Sequence, residues 1–416
     1  MNKMNGASLK TGSPPSIIKS AQNPNLTGLK CLRCERLYSL DDPHIDSGLG
    51  CKDCLQKGFP VSLYCVYSES ARLTVENNES GMHQFVSMLP YSNFPSIGER
   101  STGLAQIESL ASAMGVASVA IKNEGQNPTG SHKDRMSPFA VARAISAGFT
   151  KVIASSSGNA GASLAAYAAR AGLECCIISA PDISESWATA IKLTGAHLRL
   201  VPSHERWPLM QRLVQEENWF PVTNFHAQPI ASNPFGIEGY KTVAYEIALQ
   251  SRDKTPTLIL IPTCRGDLLF GLYRGFVEAM QAGLIRTIPR LVAVEPGDRL
   301  KDALEGKDYR QHFTVDDNNM ASIDGDTVTY QSIQALKNTK GGAICVSSEE
   351  ASSAQGELAR NGYYAEMSSA ASLAGLHKLK RNNKLSASDR VVLIATSHGY
   401  KQLPEDTAAV TNRTCN

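Results

Sequence analysis

The chain has 416 residues, of which 42% are hydrophobic and 19% charged, a composition typical of a soluble globular protein with two ordinary domains and a smaller module. Its 41 lysines and arginines against 39 acidic residues leave a net charge of +2, which argues against a nucleic-acid partner. No run approaches the ~20 apolar residues of a membrane helix, and the N-terminus lacks the apolar core of a signal peptide. We therefore expect a cytoplasmic location and no membrane partner.

Both ends of the chain are predicted to be flexible tails. Residues 1–27 are rich in Asn, Ser, Pro and Gly, a composition that cannot bury enough apolar surface to order itself. A short C-terminal tail is predicted over 406–416. Residues 28–60 are predicted to form a separate small module, because they contain a distinctive pattern of cysteines.

Two Cys-x-x-Cys pairs lie in this module, Cys31 with Cys34 and Cys51 with Cys54, separated by 16 residues. This spacing is typical of a zinc ribbon in which four thiolates hold one structural ion. Catalytic zinc would keep an open coordination position, and a redox pair normally occurs singly. A degenerate ribbon without metal is the other alternative that the pattern leaves open.

From Thr102 onward, short apolar runs alternate with segments of helical apolar spacing. Strands are predicted over 116–122, 151–156, 174–179, 257–262, 290–295 and 390–396. Helices are predicted over 135–148, 159–172, 236–249 and 267–283. This alternation indicates an α/β architecture with a parallel sheet, in which ligands bind at the carboxyl ends of the strands.

The first loop with unusual chemistry is NPTGSHKDR, residues 127–135. Lys133 follows a strand and a turn built by Pro128 and Gly130, immediately before a predicted helix. The positive end of a helix dipole and burial both favour the neutral amine, which can attack a carbonyl and form a Schiff base. A solvated lysine at a helix start is the alternative.

The second loop is SSSGNAGAS, residues 155–163. Ser156, Ser157 and the amides at the following helix N-terminus are predicted to bind an anion such as a carboxylate. Asn159 could donate a hydrogen bond to a phenolate-like oxygen. Ordinary helix capping would also explain Ser and Asn here.

The third loop begins IPTCRGD at residue 261. The amides from Cys264 through Gly266 to Asp267 could hold a phosphate at a helix N-terminus, with Arg265 supplying positive charge. A simple helix cap by Asp267 is the alternative.

Five motifs occur in a fixed order along the chain: NPTGSHKDR, SSGNAGASLAAYAARAGL, NPFGIEGYKTVAYEIA, SSAASLAGLHKL and VVLIATSHGYK. In this order they closely resemble the landmarks of threonine synthase and related fold-type II pyridoxal-phosphate enzymes, the tryptophan synthase beta-like class, over roughly residues 84–402. The N-terminal cysteine pairs resemble the ribbon found on some of these enzymes.

This resemblance implies the cofactor pyridoxal 5'-phosphate and two parallel-sheet α/β domains beside the zinc-ribbon-like module. The large cofactor-binding domain would span 61–136 and 241–405, with the small domain inserted over 137–240. A homodimer is a further expectation of the resemblance.

The resemblance also implies a role for each residue of the three loops. Lys133 would bind the cofactor aldehyde and afterwards carry protons, and Asn159 would bond the ring hydroxyl. Thr396 would face the pyridine nitrogen, where a hydroxyl does not keep that nitrogen protonated. The cofactor phosphate would contact Cys264, Arg265, Gly266 and Asp267, and the substrate would contact Ser156, Ser157 and Thr102.

The implied reaction is that of threonine synthase, which converts O-phosphohomoserine and water into threonine and phosphate. Its steps are removal of the α and then the β proton, loss of phosphate from the γ carbon, and addition of water at the β carbon. The partner is therefore expected to be a small amino-acid substrate.

Three departures from the family pattern keep other substrates open. His132 stands where Phe is usual, TCRGD replaces a loop rich in Gly and Asn, and GERSTGL at 98–104 keeps only Thr102 of the usual entry segment. The alternatives are a threonine, serine or diaminopropionate ammonia-lyase and a phosphoserine-using synthase. A non-catalytic zinc-ribbon binding protein is the alternative from another class.

Overall fold

The structure is a computed structural model that describes residues 19–156, 158–316 and 318–401. The strands are β1 (Ala21–Gln22), β2 (Leu26–Cys31), β3 (Leu37–Tyr38), β4 (Leu63–Tyr67), β5 (Tyr91–Asn93), β6 (Leu104–Gln106), β7 (Ser118–Asn123), β8 (Lys151–Ser155), β9 (Glu174–Ser179), β10 (His197–Leu200), β11 (Phe220–Pro221), β12 (Leu258–Pro262), β13 (Arg290–Glu295), β14 (Gly342–Cys345) and β15 (Arg390–Ala395). The helices are α1 (Lys52–Gln56), α2 (Glu108–Met114), α3 (Lys133–Ser146), α4 (Asn159–Ala171), α5 (Glu185–Leu193), α6 (Arg206–Glu217), α7 (Pro234–Glu238), α8 (Lys241–Ser251), α9 (Asp267–Gln281), α10 (Arg299–Leu304), α11 (Tyr330–Asn338), α12 (Ser348–Arg360) and α13 (Met367–Arg381). None of these helices combines the length and the apolar character needed to cross a membrane.

The largest sheet has six strands in the order β14-β13-β12-β15-β7-β6. Its neighbours are parallel except for β6, which pairs antiparallel with β7 at one edge. Both faces are covered: along β12, Ile259 and Ile261 enter one hydrophobic core, whereas Leu258 and Leu260 enter another. Burial on both faces explains why these strands are continuous apolar runs in the sequence.

A second sheet of four parallel strands has the order β10-β9-β8-β11. Helix α4 connects β8 to β9 and packs beside α3, the helix that begins with Lys133. The β-to-α loops of both sheets can therefore meet where α3 and α4 begin.

The six predicted strands are all present, each within two residues of its predicted bounds. The helix predicted over 135–148 begins earlier, at Lys133 itself. The helix predicted over 236–249 is two helices, α7 and α8, interrupted at Gly239 and Tyr240. Gly239 lies so close to α3 that a Cβ atom there would be 1.8 Å from the Arg135 carbonyl oxygen, which explains the glycine.

The N-terminal module is an antiparallel sheet of order β3-β2-β4. Its last strand ends at Tyr67, so the module extends past the predicted limit of residue 60. The tail predicted over 1–27 is also too long, because Asn23 is buried and its Nδ2 donates to the Leu89 carbonyl oxygen at 2.8 Å. Residues 1–18 and the predicted tail 406–416 lie outside the described residues.

This module is attached to helix α3. Arg143, in the last turn of α3, forms a 2.6 Å ion pair with Asp46 and donates to the Leu40 carbonyl oxygen at 3.1 Å. Both charged side chains are nearly buried, so the pair is shielded from salt. Helix α3 therefore begins at Lys133 and contacts the N-terminal module at its other end.

A buried ion-pair network lies beneath the start of α3. The Arg135 guanidinium bonds Glu124 at 2.9 Å and Glu246 at 3.0 Å. Lys122 Nζ, on β7, lies 2.6 Å from the Glu246 carboxylate. These side chains are almost completely buried, so each charge depends on its partners for solvation.

Removing one charge from this network should be costly. We expect Glu246→Gln to lower the free energy of unfolding by about 3–5 kcal/mol, because Lys122 and Arg135 would share a single remaining carboxylate. Urea unfolding of the purified protein measures this. The exposed Glu216→Gln on α6 is the control, with an expected change within about 0.5 kcal/mol. Equal stabilities for the two variants would contradict the network's role.

Candidate active site

The loop that precedes Lys133 is held against the end of strand β15. The His132 backbone N–H donates to the Thr396 carbonyl oxygen at 2.8 Å, and the Ser397 hydroxyl donates to the Gly130 carbonyl oxygen at 3.0 Å. Lys133 and Thr396, predicted from distant parts of the sequence, are thereby brought to the same edge of the large sheet.

The close approach of this loop to the end of β15 requires a glycine at position 130. Its φ is +79°, and a Cβ atom there would lie 2.2 Å from His398 Nε2, so a side chain would be both strained and blocked. The turn is closed by Asp134, whose carboxylate accepts from the Thr129 backbone N–H at 2.6 Å. The sequence PTGSHKD thus fixes the entry of the chain into α3.

The surroundings of the Lys133 amine favour its nucleophilic form. Burial lowers the pKa of Lys133, and the nearby Asp267 and Cys264 oppose this shift. The amine Nζ donates to the Tyr240 hydroxyl at 3.2 Å. Burial favours the neutral amine, which is the form that attacks a carbonyl.

Asn159 is the first residue of α4, and its side-chain amide has partners at both ends. Its Nδ2 donates to Glu366 at 2.8 Å, and its Oδ1 accepts from Lys401 Nζ at 2.8 Å and from Ser397 at 3.3 Å. A carboxylate and an ammonium group on opposite sides assign the orientation of the amide. Because Ser397 also holds the Gly130 loop, Asn159 belongs to the same site as Lys133.

The helix N-terminus at α4 is partly capped by Ser156. Its hydroxyl accepts from the Gly158 backbone N–H at 3.3 Å and from the Gly161 N–H at 3.0 Å. Ser156 therefore shapes this loop, and the predicted contact of its hydroxyl with a carboxylate would compete with the cap. Ser157 lies outside the described residues.

The predicted phosphate loop, from Cys264 to Asp267, joins β12 to α9. Gly266 has φ +89°, and a Cβ atom there would lie 2.4 Å from the Ser332 Cβ, so the loop packs closely on α11. Asp267 accepts from Gln331 Nε2 at 2.8 Å and so turns toward α11. The Cys264 thiol donates to the Asp324 carbonyl oxygen at 2.8 Å. The first backbone N–H groups of α9 have no partner within the helix itself, as at every helix start.

Arg265 leaves this loop in another direction. Its guanidinium lies 4.8 Å from the Trp207 ring centroid, a cation–π contact with helix α6 beside the small sheet. Its Nη1 is buried without a hydrogen-bond partner among the described residues. A buried guanidinium N–H without a partner is a donor available to an anion.

Two predicted residues have hydroxyls with clear partners. The Thr396 hydroxyl hydrogen-bonds the Ser369 hydroxyl at 2.7 Å at the end of β15. Thr102, expected to contact substrate, is 2% exposed and donates to Glu124 at 2.6 Å. The structure places Thr102 in the ion-pair network beneath α3, because the buried carboxylates there need donors.

Three residues of the site had no role in the sequence-based prediction. These are Tyr240, Glu366 and Lys401, which contact Lys133 or Asn159. Burial lowers the pKa of Lys401 to about 8, against the opposing effect of Asp134 and Glu366. Tyr240 and Lys401 lie inside the motifs NPFGIEGYKTVAYEIA and VVLIATSHGYK, but a single sequence gave no reason to separate them from their neighbours.

The four predicted zinc ligands also come together. The sulfur atoms of Cys31, Cys34, Cys51 and Cys54 all lie within 4.8 Å of one another. The Cys31 to Cys54 sulfur distance is 3.7 Å, and that from Cys34 to Cys51 is 3.5 Å. Four thiolates at about 2.3 Å from one tetrahedral zinc ion are about 3.8 Å apart, so this cluster could hold the ion.

Comparison with known proteins defines the class. The family model for pyridoxal-phosphate dependent enzymes matches residues 95–397, and the chain belongs to this family. Its relatives include the threonine synthase of Methanocaldococcus jannaschii, 28% identical over 89% of this chain and 92% of that protein. The threonine synthase of Mycobacterium bovis is 30% identical over 73% of this chain and 82% of that protein. The chain is thus a threonine synthase-like pyridoxal-phosphate enzyme, which excludes the non-catalytic alternative.

Solved structures show the same fold. O-ureido-L-serine synthase is similar with a TM-score of 0.62 at 20% identity, over 76% of this chain and 95% of that one. A fungal L-serine ammonia-lyase from Rhizomucor miehei has the same TM-score and identity, over 74% of this chain and 95% of that one. The predicted fold-type II architecture therefore fits the two parallel-stranded sheets.

The side chains at the meeting point of the loops fit pyridoxal 5'-phosphate. A partly buried amine with a lowered pKa suits its aldehyde, and the Arg265 N–H without a partner suits an anion near its phosphate. Asn159 and Thr396 supply neutral hydrogen-bonding groups from two other elements. Each chemical part of the cofactor thus has a complementary group within the described residues.

Gly130 offers a test of this geometry. We expect Gly130→Ala to abolish cofactor retention, because the new methyl group collides with His398 and displaces the loop before Lys133. The control is Gly148→Ala at the end of α3, where φ is +81° but no atom lies within 4 Å of the added Cβ. It carries the same backbone strain of about 1–2 kcal/mol without the collision. Visible absorbance after gel filtration measures retention, and equal retention by both variants would argue against the collision.

Proposed function

We propose that this protein is a lyase of the threonine synthase type, which converts O-phosphohomoserine and water into threonine and phosphate. The observation that carries the proposal is the convergence of Lys133, Asn159 and Thr396, each from a different element, on one site. The threonine synthases of 28% and 30% identity support the substrate. The residues from 68 to 136 and 241 to 401 would form the large cofactor-binding domain, and 137–240 the small one.

Lys133 would hold the cofactor through its amine and act as the base once substrate has replaced it. Asn159 would donate to the ring hydroxyl through its Nδ2, in place of the long 3.4 Å hydrogen bond that Nδ2 donates to the Ser322 hydroxyl beside its bond to Glu366. Thr396, already bonded to Ser369, would face the ring nitrogen with a neutral hydroxyl. The backbone N–H groups from Cys264 to Asp267 and the Arg265 side chain would bind the phosphate.

When bound, the cofactor supplies an electron sink that makes the α and β protons of an amino acid acidic. The chain supplies the base. Lys133 Nζ would accept the α proton, release it to the bound cofactor or to solvent, then accept the β proton and return a proton to carbon later in the reaction. Its lowered pKa matters because a base that is already protonated cannot accept.

The substrate carboxylate would bind the N-terminus of α4. The backbone N–H groups there carry partial positive charge, and Ser156 lies in the same loop. Because Ser156 already caps α4, the backbone amides would be the main donors to the carboxylate. Substrate binding would thus use a different helix start from the one that holds the cofactor phosphate.

A second function is favoured by Asp267. Its carboxylate lies close enough to Lys133 to act on its pKa, and it shares the loop proposed for the cofactor phosphate. A second phosphate, on the substrate, would add further negative charge near this carboxylate. The second candidate is therefore β-elimination or β-replacement on an amino acid without a phosphate, such as serine, threonine or diaminopropionate.

The two candidates differ in their products. The purified protein with pyridoxal phosphate is given O-phospho-L-homoserine, L-threonine, L-serine or diaminopropionate, and phosphate, threonine and keto acid are measured. Threonine and phosphate formed in equal amounts are expected. We expect Lys133→Ala to reduce the rate by about 10²–10⁴-fold, because it removes the base, whereas the exposed Lys192→Ala on α5 retains it. Keto acid without threonine would establish the second candidate.

We also propose that Cys31, Cys34, Cys51 and Cys54 hold one structural zinc ion. Protein purified from zinc-supplemented medium is expected to contain one zinc per chain, measured by elemental analysis. Cys51→Ser should lose the ion and melt several degrees lower, because the ion staples a module with a small core. Cys345→Ser on β14 lies outside the cluster and should keep the ion. Metal-free wild-type protein with unchanged stability would refute the site.

A further inference from the structure

Tyr240 is the one described side chain whose hydrogen bond with the Lys133 amine is resolved. It lies between α7 and α8, is fully buried, and accepts from Lys133 Nζ at 3.2 Å. The same Nζ lies 5.7 Å from the centre of the Tyr240 ring, so the amine sits near the ring's hydroxyl end and not over its face. The hydroxyl is therefore the group that holds the amine here.

The position of this ring is fixed on several sides. Helix α9 passes so close that a Cβ atom on Gly271 would be 2.4 Å from the Tyr240 Cβ. The His132 ring lies against it, with the centroids 5.5 Å apart. The hydroxyl also points to the Met136 sulfur at 3.5 Å, which is a weak acceptor. A ring packed in this way presents its hydroxyl oxygen at one place.

The hydroxyl is also held in its neutral form. Burial, and then the charges of Asp267, Asp134 and Glu124, raise the pKa of Tyr240 well above its ordinary value. A neutral phenol accepts a hydrogen bond from an amine without adding the negative charge that would favour the ammonium form. Tyr240 can thus hold the amine in place and leave it able to accept a proton.

We propose that Tyr240 is a positioning residue for Lys133: it holds the amine at the site from which protons move whenever the amine is not bonded to the cofactor. This inference rests on the proposed use of Lys133 as cofactor-binding residue and base. Tyr240 itself gains and loses no proton in the reaction, because each proton taken from substrate is carried by Lys133 Nζ. Without the hydroxyl, the flexible lysine side chain would lose its fixed geometry.

The test compares Tyr240→Phe with Tyr245→Phe. Phe keeps the ring that fills the space, and Tyr245 is a buried tyrosine on the adjoining helix α8 whose hydroxyl bonds Glu278 and not Lys133. The first measurement is the rate at which the full chain, stripped of cofactor, captures added pyridoxal phosphate, followed by visible absorbance. We expect capture to slow about 10-fold in Tyr240→Phe and to change less than twofold in Tyr245→Phe.

The second measurement is exchange of the α proton of L-threonine with deuterated water, followed by NMR. We expect Tyr240→Phe to lower kcat for exchange about 10-fold to 100-fold with KM within twofold, because the base is misplaced while binding groups remain. The inference would be overturned if Tyr240→Phe captured the cofactor and exchanged the α proton at the same rates as wild type. If Tyr240→Phe slows cofactor capture but the wild-type protein forms no threonine, the inference on Tyr240 stands and the proposed substrate is wrong.

A double variant separates positioning from damage to the fold. In Lys133→Ala, ethylamine is added as an external base to restore part of the exchange. We expect Tyr240→Phe to have no further effect in this background, because the residue acts through Lys133. An equal loss in both backgrounds would show that Tyr240→Phe damages the site generally, and would overturn the inference.

Discussion

The buried ion-pair network around Arg135 is the constraint on which the site depends. Arg135 is two residues beyond Lys133, so its bonds to Glu124 and Glu246 fix the first turn of α3 against the segment that follows β7 and against α8. Buried charges tolerate few arrangements, because each alternative leaves an ion without a partner in a low-dielectric interior. The ion pairs of Arg135 beneath the first turn thus fix the direction in which the Lys133 side chain leaves α3. The chemistry of the amine occurs on the other side of that turn.

Two further contacts complete the placement of α3, one at the loop before Lys133 and one at the other end of the helix. Gly130 allows the loop to touch His398 at the end of β15, and Arg143 ties the other end of α3 to Asp46 in the cysteine module. One helix therefore links the module, the large sheet and the reactive amine. The network lies at the first turn of α3, close in sequence to the amine, where small displacements would most affect catalysis.

The parts of this structure that follow from local sequence were predictable. Strands such as β12 are buried on both faces and hence are continuous apolar runs, and glycine-rich turns mark where loops enter helices. The loops around Lys133, Asn159 and Cys264 were found because reactive or small residues sit at those turns. The break between α7 and α8 was missed, since Gly239 is explained only by the approach of α3.

Contacts between distant segments could not be predicted in this way. Thr102 carries no local sign that it bonds Glu124, and Tyr240 has the apolar spacing of an ordinary helix residue. Glu366 and Lys401 meet at Asn159 only because three separate loops converge there. Helical or strand periodicity reports the environment of a residue, whereas these partnerships depend on how whole elements pack.

The departure at TCRGD adds a side chain, Arg265, that connects this loop to helix α6 beside the small sheet. A loop of glycine and asparagine would bind a phosphate through its own backbone alone. Arg265 adds a side chain that reaches Trp207 on α6 and keeps one N–H without a partner among the described residues. An anion at this loop would draw on the same guanidinium that contacts α6, so binding there and the packing of the small sheet share one group. Asp267, bonded to Gln331, keeps its charge on the opposite side of the loop, where it opposes the fall in the Lys133 pKa. The loop thus combines a cation directed toward the small sheet with an anion close to the reactive amine.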